Sequence, residues 1–148
     1  MNEKIPYEWF RRAKKESDPY FKFMSIYVAL NFLYNSRPEK EECERMRLYL
    51  MEVTDEIGYR KDLASESEFL KSPVRNLKKH KNPEHKGSDE YYVKNGDLES
   101  LFKAIYAVRC NLFHGNKMLG NERDKALVEE SANILIEILR SRLEIESG

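Results

Sequence analysis

Apolar residues recur at steps of three and four along most of this chain, the spacing typical of helices with one buried face. One such stripe, from Phe23 to Tyr34, predicts a first main helix over residues 18–35. A second helix is predicted over Pro38 to Ile57. Proline suits the first turn of a helix, and Gly58 is the kind of residue at which helices end.

The most regular period of the chain runs from Leu98 to Leu112 and predicts a third main helix, opened by Asp97 and closed by Gly115. A fourth helix is predicted from Asn121 or Glu122 to about Ile145. Four amphipathic helices without sustained strand patterning predict an all-α fold, an antiparallel four-helix bundle.

The remaining segments have weaker patterns. Residues 1–17 are interpreted as an N-terminal arm whose aromatic side chains pack on the bundle. Residues 72–97 are punctuated by proline and glycine and predict a long loop before the third main helix, with an extended piece at residues 91–93. A short helical turn is predicted within residues 64–71. The length of the chain favours one domain over residues 1–148.

Composition excludes few classes of protein. Lys plus Arg and Asp plus Glu both number 26, so the net charge indicates no class of partner. The longest uncharged run, from Phe23 to Ser36, is too short to cross a membrane, and the N-terminus has no apolar core of the signal-peptide kind. Cys43 and Cys110 lack metal-ligand spacing. We therefore expect a cytoplasmic protein with two free thiols.

Basic residues concentrate between Lys71 and Lys86, where they outnumber acidic residues. This segment is either an RNA-binding loop that follows the phosphate backbone or a solvated loop without a ligand. His80 and His85 have no cysteine or carboxylate set to complete a metal site, so we expect no metal and no cofactor. The candidate RNA-binding residues are Lys78, Lys79, Lys81 and Lys117.

Three polar residues, Arg109, Asn111 and His114, interrupt the apolar pattern at the end of the third main helix. A guanidinium matches phosphate oxygens, an imidazole exchanges protons near neutral pH, and an amide orients either an imidazole or a ribose hydroxyl. Together these groups suit cleavage of RNA by attack of its own 2′-hydroxyl, without metal. The alternative is structural, with His114 capping the helix and Arg109 in a salt bridge to Glu52 or Glu130.

Helix geometry restricts how these groups can share one site. Arg109 and His114 are five residues apart, which on an ideal helix is about 140° around the axis and about 7.5 Å along it. The arginine must therefore reach across, or the helix must loosen before Gly115, or two copies of the helix must line one cleft.

The segment "VRCNLFHG" resembles the signature of the HEPN superfamily of helical domains, an Arg followed after four to six residues by a His late in the third main helix. The segment "FMSIYVALNFLYN" is similar to the "WxAFNALYN" opening helix of one large HEPN branch, with Asn31 and Tyr34 on matching positions. One departure is Cys110, which stands where many active members place a polar residue.

The resemblance implies a bundle that forms a homodimer in which two motifs face one cleft. It implies a metal-independent endoribonuclease, often a toxin or phage-defence component, that leaves a 2′,3′-cyclic phosphate and a 5′-hydroxyl. His114 would exchange protons, Arg109 would bind phosphate, and Asn111 would position the reacting groups. The alternative is a non-catalytic module that binds RNA, a nucleotide or a protein such as an antitoxin or a nucleotidyltransferase.

Overall fold

A computed structural model describes residues 4–76, 89–113 and 121–144. Within these ranges the chain forms six helices and one two-stranded sheet, which confirms the predicted all-α helical-bundle class. The helices are α1 (Lys4–Lys15), α2 (Pro19–Tyr34), α3 (Glu42–Ile57), α4 (Glu68–Lys71), α5 (Leu98–Phe113) and α6 (Glu122–Leu143). The strands are β1 (Val74–Asn76) and β2 (Asp89–Tyr91). None of the helices in these ranges combines the length and apolar character needed to cross a membrane.

The chain divides into two compact units. The terminal unit comprises Met1–Tyr59 and Val128–Gly148, and the central unit comprises Arg60–Leu127. The division falls within α6. The terminal unit contains α1, α2 and α3, and the central unit contains α4, the sheet and α5.

In the terminal unit, α1 and α2 form a helical hairpin. Asp18 caps α2, because its carboxylate accepts hydrogen bonds from the backbone N–H groups of Tyr20 at 2.9 Å and Phe21 at 3.2 Å. Pro19 then occupies the first turn, where its missing N–H costs nothing. The arm predicted for residues 1–17 is therefore helical over most of its length and packs against α2.

Ion pairs connect the last turns of α6 to other helices of the terminal unit. Lys14 of α1 lies 2.8 Å from Glu144, and Arg142 pairs with Glu56 of α3. The Arg142 guanidinium also lies over the Tyr49 ring, 5.9 Å from its centroid. Pairs this exposed contribute little stability, so the buried apolar side chains of these helices carry most of it.

A buried polar cluster joins α2 to α3. The Tyr34 hydroxyl donates to Oε2 of Glu42 at 2.5 Å and lies 2.6 Å from the Tyr27 hydroxyl, which must therefore be the donor of that second bond. The Asn31 amide donates to both Tyr34, at 3.0 Å, and Glu42, at 3.2 Å. Asn31 and Tyr34, the two positions that carry the first-helix resemblance, thus bond to the first turn of α3.

This cluster predicts a loss of stability in alkali. Burial, reinforced by the Glu42 carboxylate, raises the pKa of Tyr34 well above the ordinary tyrosine value. The folded state therefore keeps a proton that the unfolded chain releases above about pH 10. Below that pH the protonated Tyr34 hydroxyl contributes its full stabilisation to the folded state. Above it, this group lowers the free energy of unfolding by about 1.4 kcal/mol per pH unit. The free energy of unfolding, measured with urea at several pH values above about 10, should fall less steeply with pH in Tyr34→Phe than in the unmodified protein. An equal dependence on pH in the two proteins would contradict the assignment to Tyr34.

The central unit is built around α5, which packs against β1 and β2. The strands are antiparallel, with Val74 opposite Tyr91 and Arg75 opposite Glu90. Arg123, at the start of α6, fixes the segment before β1, because its Nη2 donates to the carbonyls of Glu68 at 3.1 Å and Ser72 at 2.6 Å.

Element boundaries differ from the sequence predictions at the start of α3 and in the segment before α5. The second main helix begins at Glu42 and not at Pro38, because residues 35–41 form turns after α2. The loop predicted for residues 72–97 contains the two strands, and the extended piece predicted at residues 91–93 overlaps the end of β2. The predicted turn within residues 64–71 is α4, with Ser67 as its cap.

Candidate functional site

The candidate site lies at the carboxyl end of α5. This helix buries Leu101, Ile105 and Val108, members of the predicted stripe, and it ends at Phe113. The carbonyl groups of the last turn give this end of a helix a partial negative charge. The last turn of α5 holds no basic residue, and Arg109 lies directly before it. A phosphodiester that approaches this end would meet Arg109 as the nearby cation of the helix.

Two aromatic rings hold the Arg109 side chain. Its guanidinium carbon lies 5.6 Å from the centroid of the Tyr106 ring and 5.3 Å from that of the Phe113 ring. These residues precede and follow Arg109 by three and four positions, so they flank it on one face of the helix. The Arg109 Nε is buried, and Phe113 is 39% exposed. Glu52, one of the two carboxylates considered as a salt-bridge partner of Arg109, pairs with Arg37 at 2.9 Å.

Asn111 joins α5 to the sheet. Its side-chain amide donates to the main-chain carbonyl of Arg75 in β1 at 2.6 Å, and the residue is 4% exposed. A buried bond of this kind fixes the rotation of the last turn of α5 relative to the hairpin. Asn111 therefore has a structural contact in the central unit.

The structure does not bring Arg109 and Asn111 together on one face. Arg109 and Asn111 are two positions apart, which on a helix is a rotation of about 200° around the axis. Their side chains therefore leave the helix on nearly opposite sides. Cys110, between them, is buried at 4% exposure. Position 110 thus contributes a buried thiol to α5.

Several predicted site residues lie outside the described residues. His114, the predicted proton-exchanging group, follows directly after the end of α5, and Lys117 lies three positions beyond it. Lys78, Lys79 and Lys81 fall between the two strands, in residues 77–88. The geometry of the site is therefore known from Arg109, Asn111 and the residues that touch them.

Titratable groups of the central unit show local shifts. Burial raises the pKa of the Asp124 carboxyl, and the neighbouring Arg123 opposes that change. The Glu90 carboxylate, which accepts the Tyr92 hydroxyl bond at 3.0 Å, raises the pKa of Tyr92. Within the part of the chain described, no three His, Cys, Asp or Glu side chains are grouped as metal ligands. His80 and His85 lie in residues 77–88, outside that part.

Sequence reasoning did not identify Arg75 or Arg123 as supports of the site. Asn111 bonds to the main-chain carbonyl of Arg75, and Arg123 bonds to the main-chain carbonyl of Ser72. Because every residue has such a carbonyl, the side chains at positions 75 and 72 give no signal of these contacts. The aromatic flanks of Arg109, in contrast, follow from spacing. No protein-family model, curated protein or solved structure matches this chain.

Proposed function

We propose that this protein is a metal-independent endoribonuclease of the HEPN type that cleaves RNA through attack of the 2′-hydroxyl. The observation that carries the proposal is the guanidinium of Arg109, which lies over the rings of both Tyr106 and Phe113 near the carboxyl end of α5. The chain continues from that end directly into His114.

Stacking of a guanidinium engages the two faces of its plane, whereas phosphate oxygens bind at its N–H edge. The same side chain can therefore be held by rings and bind a phosphodiester. Since Nε of Arg109 is buried, the terminal Nη groups are the part of the fork that would meet the phosphate. The charge would also offset the negative end of the α5 dipole, which otherwise repels an RNA backbone.

In the proposed reaction His114 accepts the proton of the 2′-hydroxyl as that oxygen attacks the adjacent phosphorus. Arg109 stabilises the added charge on the phosphorane oxygens. The bond from phosphorus to the 5′-oxygen then breaks, and the leaving oxygen takes a proton from an imidazolium. The products are a 2′,3′-cyclic phosphate and a 5′-hydroxyl, and no water is consumed in this step.

A homodimer is part of the proposal. Because Arg109 and His114 are five residues apart in sequence, an ideal helix through both would not readily direct the two side chains at one phosphate. Two copies that face one cleft would supply an arginine from one motif and an imidazole from the other. Asn111, bound to β1, would then act as a positioning residue that holds the end of α5 in place.

The chemistry predicts two properties that can be measured with a fluorescent RNA. Cleavage should persist in excess EDTA, since the mechanism uses no metal ion. An RNA with a single 2′-deoxy substitution should resist cleavage at that linkage, because its nucleophile is missing. Gel electrophoresis with a phosphatase treatment identifies the cyclic phosphate end.

The control for a contaminating nuclease is His114→Ala, purified in the same way and confirmed to be folded by circular dichroism. Cleavage that this variant retains, or that EDTA abolishes, would contradict the proposed chemistry. Cleavage of the 2′-deoxy linkage at the normal rate would contradict it as well.

The second candidate function is a non-catalytic module that binds RNA or a protein partner such as an antitoxin or nucleotidyltransferase. The bond of Asn111 to the Arg75 carbonyl favours it, because one of the three motif residues then serves the fold. RNA binding without cleavage in the same assay, measured by fluorescence anisotropy, would support this candidate.

A further inference from the structure

Helix α2 has large apolar side chains on an exposed face. Phe21 is 59% exposed, Met24 37% and Phe32 39%, and Val28 between them is half-buried. On a helix these four positions fall within about 80° of arc and extend over about 16 Å. Among the residues of α2 only Lys22 is charged, so the helix is apolar on its buried and its exposed sides alike. Helices of that kind are normally covered on both sides.

Helix α1 supplies the other wall of a groove along this face. Its residues Ile5, Trp9 and Arg12 lie at steps of four and three, on one side of the helix. One cavity of about 460 Å³ is lined by Trp9, Arg12 and Glu16 on the α1 side and by Phe21, Met24, Ser25 and Val28 of α2. We call this cavity the α1–α2 groove.

The edge of the groove on α1 is basic. A second cavity of about 430 Å³ shares Arg12 and Glu16 with the first and is also lined by Arg11 and Lys15. The two carboxylates there, Glu8 and Glu16, are outnumbered by these three cations. The guanidinium groups stack on aromatic rings, Arg11 over Tyr7 at 5.7 Å and Arg12 over Trp9 at 5.4 Å. The groove therefore combines an apolar floor with a positively charged rim.

The shape and charge of the groove select among occupants. An apolar stripe about three helical turns long matches the i, i+3, i+7 and i+11 positions of another helix. A second copy of this chain would not fill the groove through the same face. In a symmetric contact two concave surfaces meet, and neither inserts into the other. Single-stranded RNA stacks on aromatic platforms, whereas the floor of this groove also includes the aliphatic side chains of Met24 and Val28.

We propose that the α1–α2 groove binds an amphipathic helix of a partner protein, with apolar residues facing α2 and acidic residues facing Arg11, Arg12 and Lys15. This proposal is independent of the proposed RNA cleavage. The groove belongs to the terminal unit, whereas Arg109 belongs to the central unit, and the two proposals are tested with different ligands.

Trp9 provides a direct readout, because it lines the groove and is the single tryptophan of the chain. The probe is a synthetic helical peptide without tryptophan, with leucine at i, i+3, i+7 and i+11 and glutamate along one flank. Titration should shift the Trp9 emission to shorter wavelength and saturate. A peptide with lysine in place of glutamate should bind at least about tenfold more weakly, since its charge opposes the basic rim.

Two variants test the two halves of the groove, and circular dichroism confirms that each is folded. Phe21→Ser should weaken binding of the acidic peptide about tenfold, because it removes an exposed anchor of the floor. Arg12→Glu should remove the preference for the acidic peptide. The matched control is Lys40→Glu, which reverses an exposed charge outside the groove and should leave binding unchanged.

Four results would overturn the proposal. One is the lack of a saturable Trp9 shift with every acidic helical peptide, and another is equal affinity for the acidic and basic peptides. The third is a Trp9 shift on raising protein concentration alone, together with dimerisation through this face in sedimentation velocity. The fourth is a shift with single-stranded RNA or anionic vesicles that peptide does not reverse.

Discussion

Replacing Tyr34 with alanine is expected to lower the free energy of unfolding by about 3–5 kcal/mol. Tyr34 has 0% exposure, so alanine leaves a cavity where the ring was. The substitution also removes the hydroxyl that accepts bonds from Tyr27 and Asn31 and donates to Glu42. Urea denaturation, followed by circular dichroism, should show the loss as a lower midpoint concentration of urea with an unchanged m-value.

Tyr34→Phe separates the hydroxyl from the ring. It should cost about 1–3 kcal/mol, because the Glu42 carboxylate and the Tyr27 hydroxyl then lose a partner within the fold. A double-mutant cycle with Glu42→Gln should give a coupling of about 0.5–3 kcal/mol, as expected for residues in one hydrogen-bond network.

The matched control is Tyr92→Ala, at a tyrosine that is 67% exposed. This substitution should change the free energy of unfolding by no more than about 0.5 kcal/mol. A Tyr34→Ala variant as stable as Tyr92→Ala would show that the cluster does not hold α2 to α3.

The helices could be predicted from the sequence because helical periodicity is local. The first main helix, predicted over residues 18–35, is α2 with Asp18 as its cap, and the stripe beginning at Leu98 is α5. The start predicted for α3, at Pro38, is wrong, since the helix begins at Glu42. Pro38 permits a helical first turn without requiring one, and the chain forms turns until Glu42.

The hairpin could not be predicted from periodicity. Each strand has three residues, too few for an alternating pattern to stand out. In β1 the two buried positions are Val74 and Asn76. Because Asn76 is polar, the sequence of this strand does not show the alternation of apolar and polar residues that indicates a half-buried strand. The pairing also joins residues that are far apart in sequence, and a local pattern contains no information about that contact.

The candidate site was predictable to a similar extent. The rings beside Arg109 follow from helical spacing, since Tyr106 and Phe113 are three and four residues away. The contact of Asn111 was not predictable, because its partner is a backbone carbonyl that any residue at position 75 would supply. A polar residue on an apolar helix can thus suggest chemistry and also serve to join two elements.

Replacing Arg109 with alanine is expected to lower the rate constant for RNA cleavage by about 10²–10³, the usual cost of one group that stabilises developing negative charge. Arg109→Lys should recover part of this loss. Lysine keeps the charge but lacks the planar fork that binds two phosphate oxygens and stacks between rings. Single-turnover kinetics with saturating protein measure the rate without interference from product release.

The rings of Tyr106 and Phe113 should affect the rate of RNA cleavage only by positioning the guanidinium of Arg109. Phe113→Leu is expected to reduce the rate a few-fold, because one exposed cation–π contact contributes about 0.5–1 kcal/mol. In the Arg109→Ala background the same substitution should have no further effect, since there is no guanidinium to position. That dependence distinguishes a positioning role from a general loss of stability.

Arg142 offers a matched control, because its guanidinium also lies over a tyrosine ring, that of Tyr49 in the terminal unit. Arg142→Ala removes the same chemical group from the same kind of contact and should leave the cleavage rate unchanged. If Arg109→Ala cleaves as fast as Arg142→Ala, Arg109 does not bind the reacting phosphate. If Arg109→Ala instead loses RNA affinity in a protein that never cleaves RNA, the guanidinium serves binding alone, and the motif marks a recognition site.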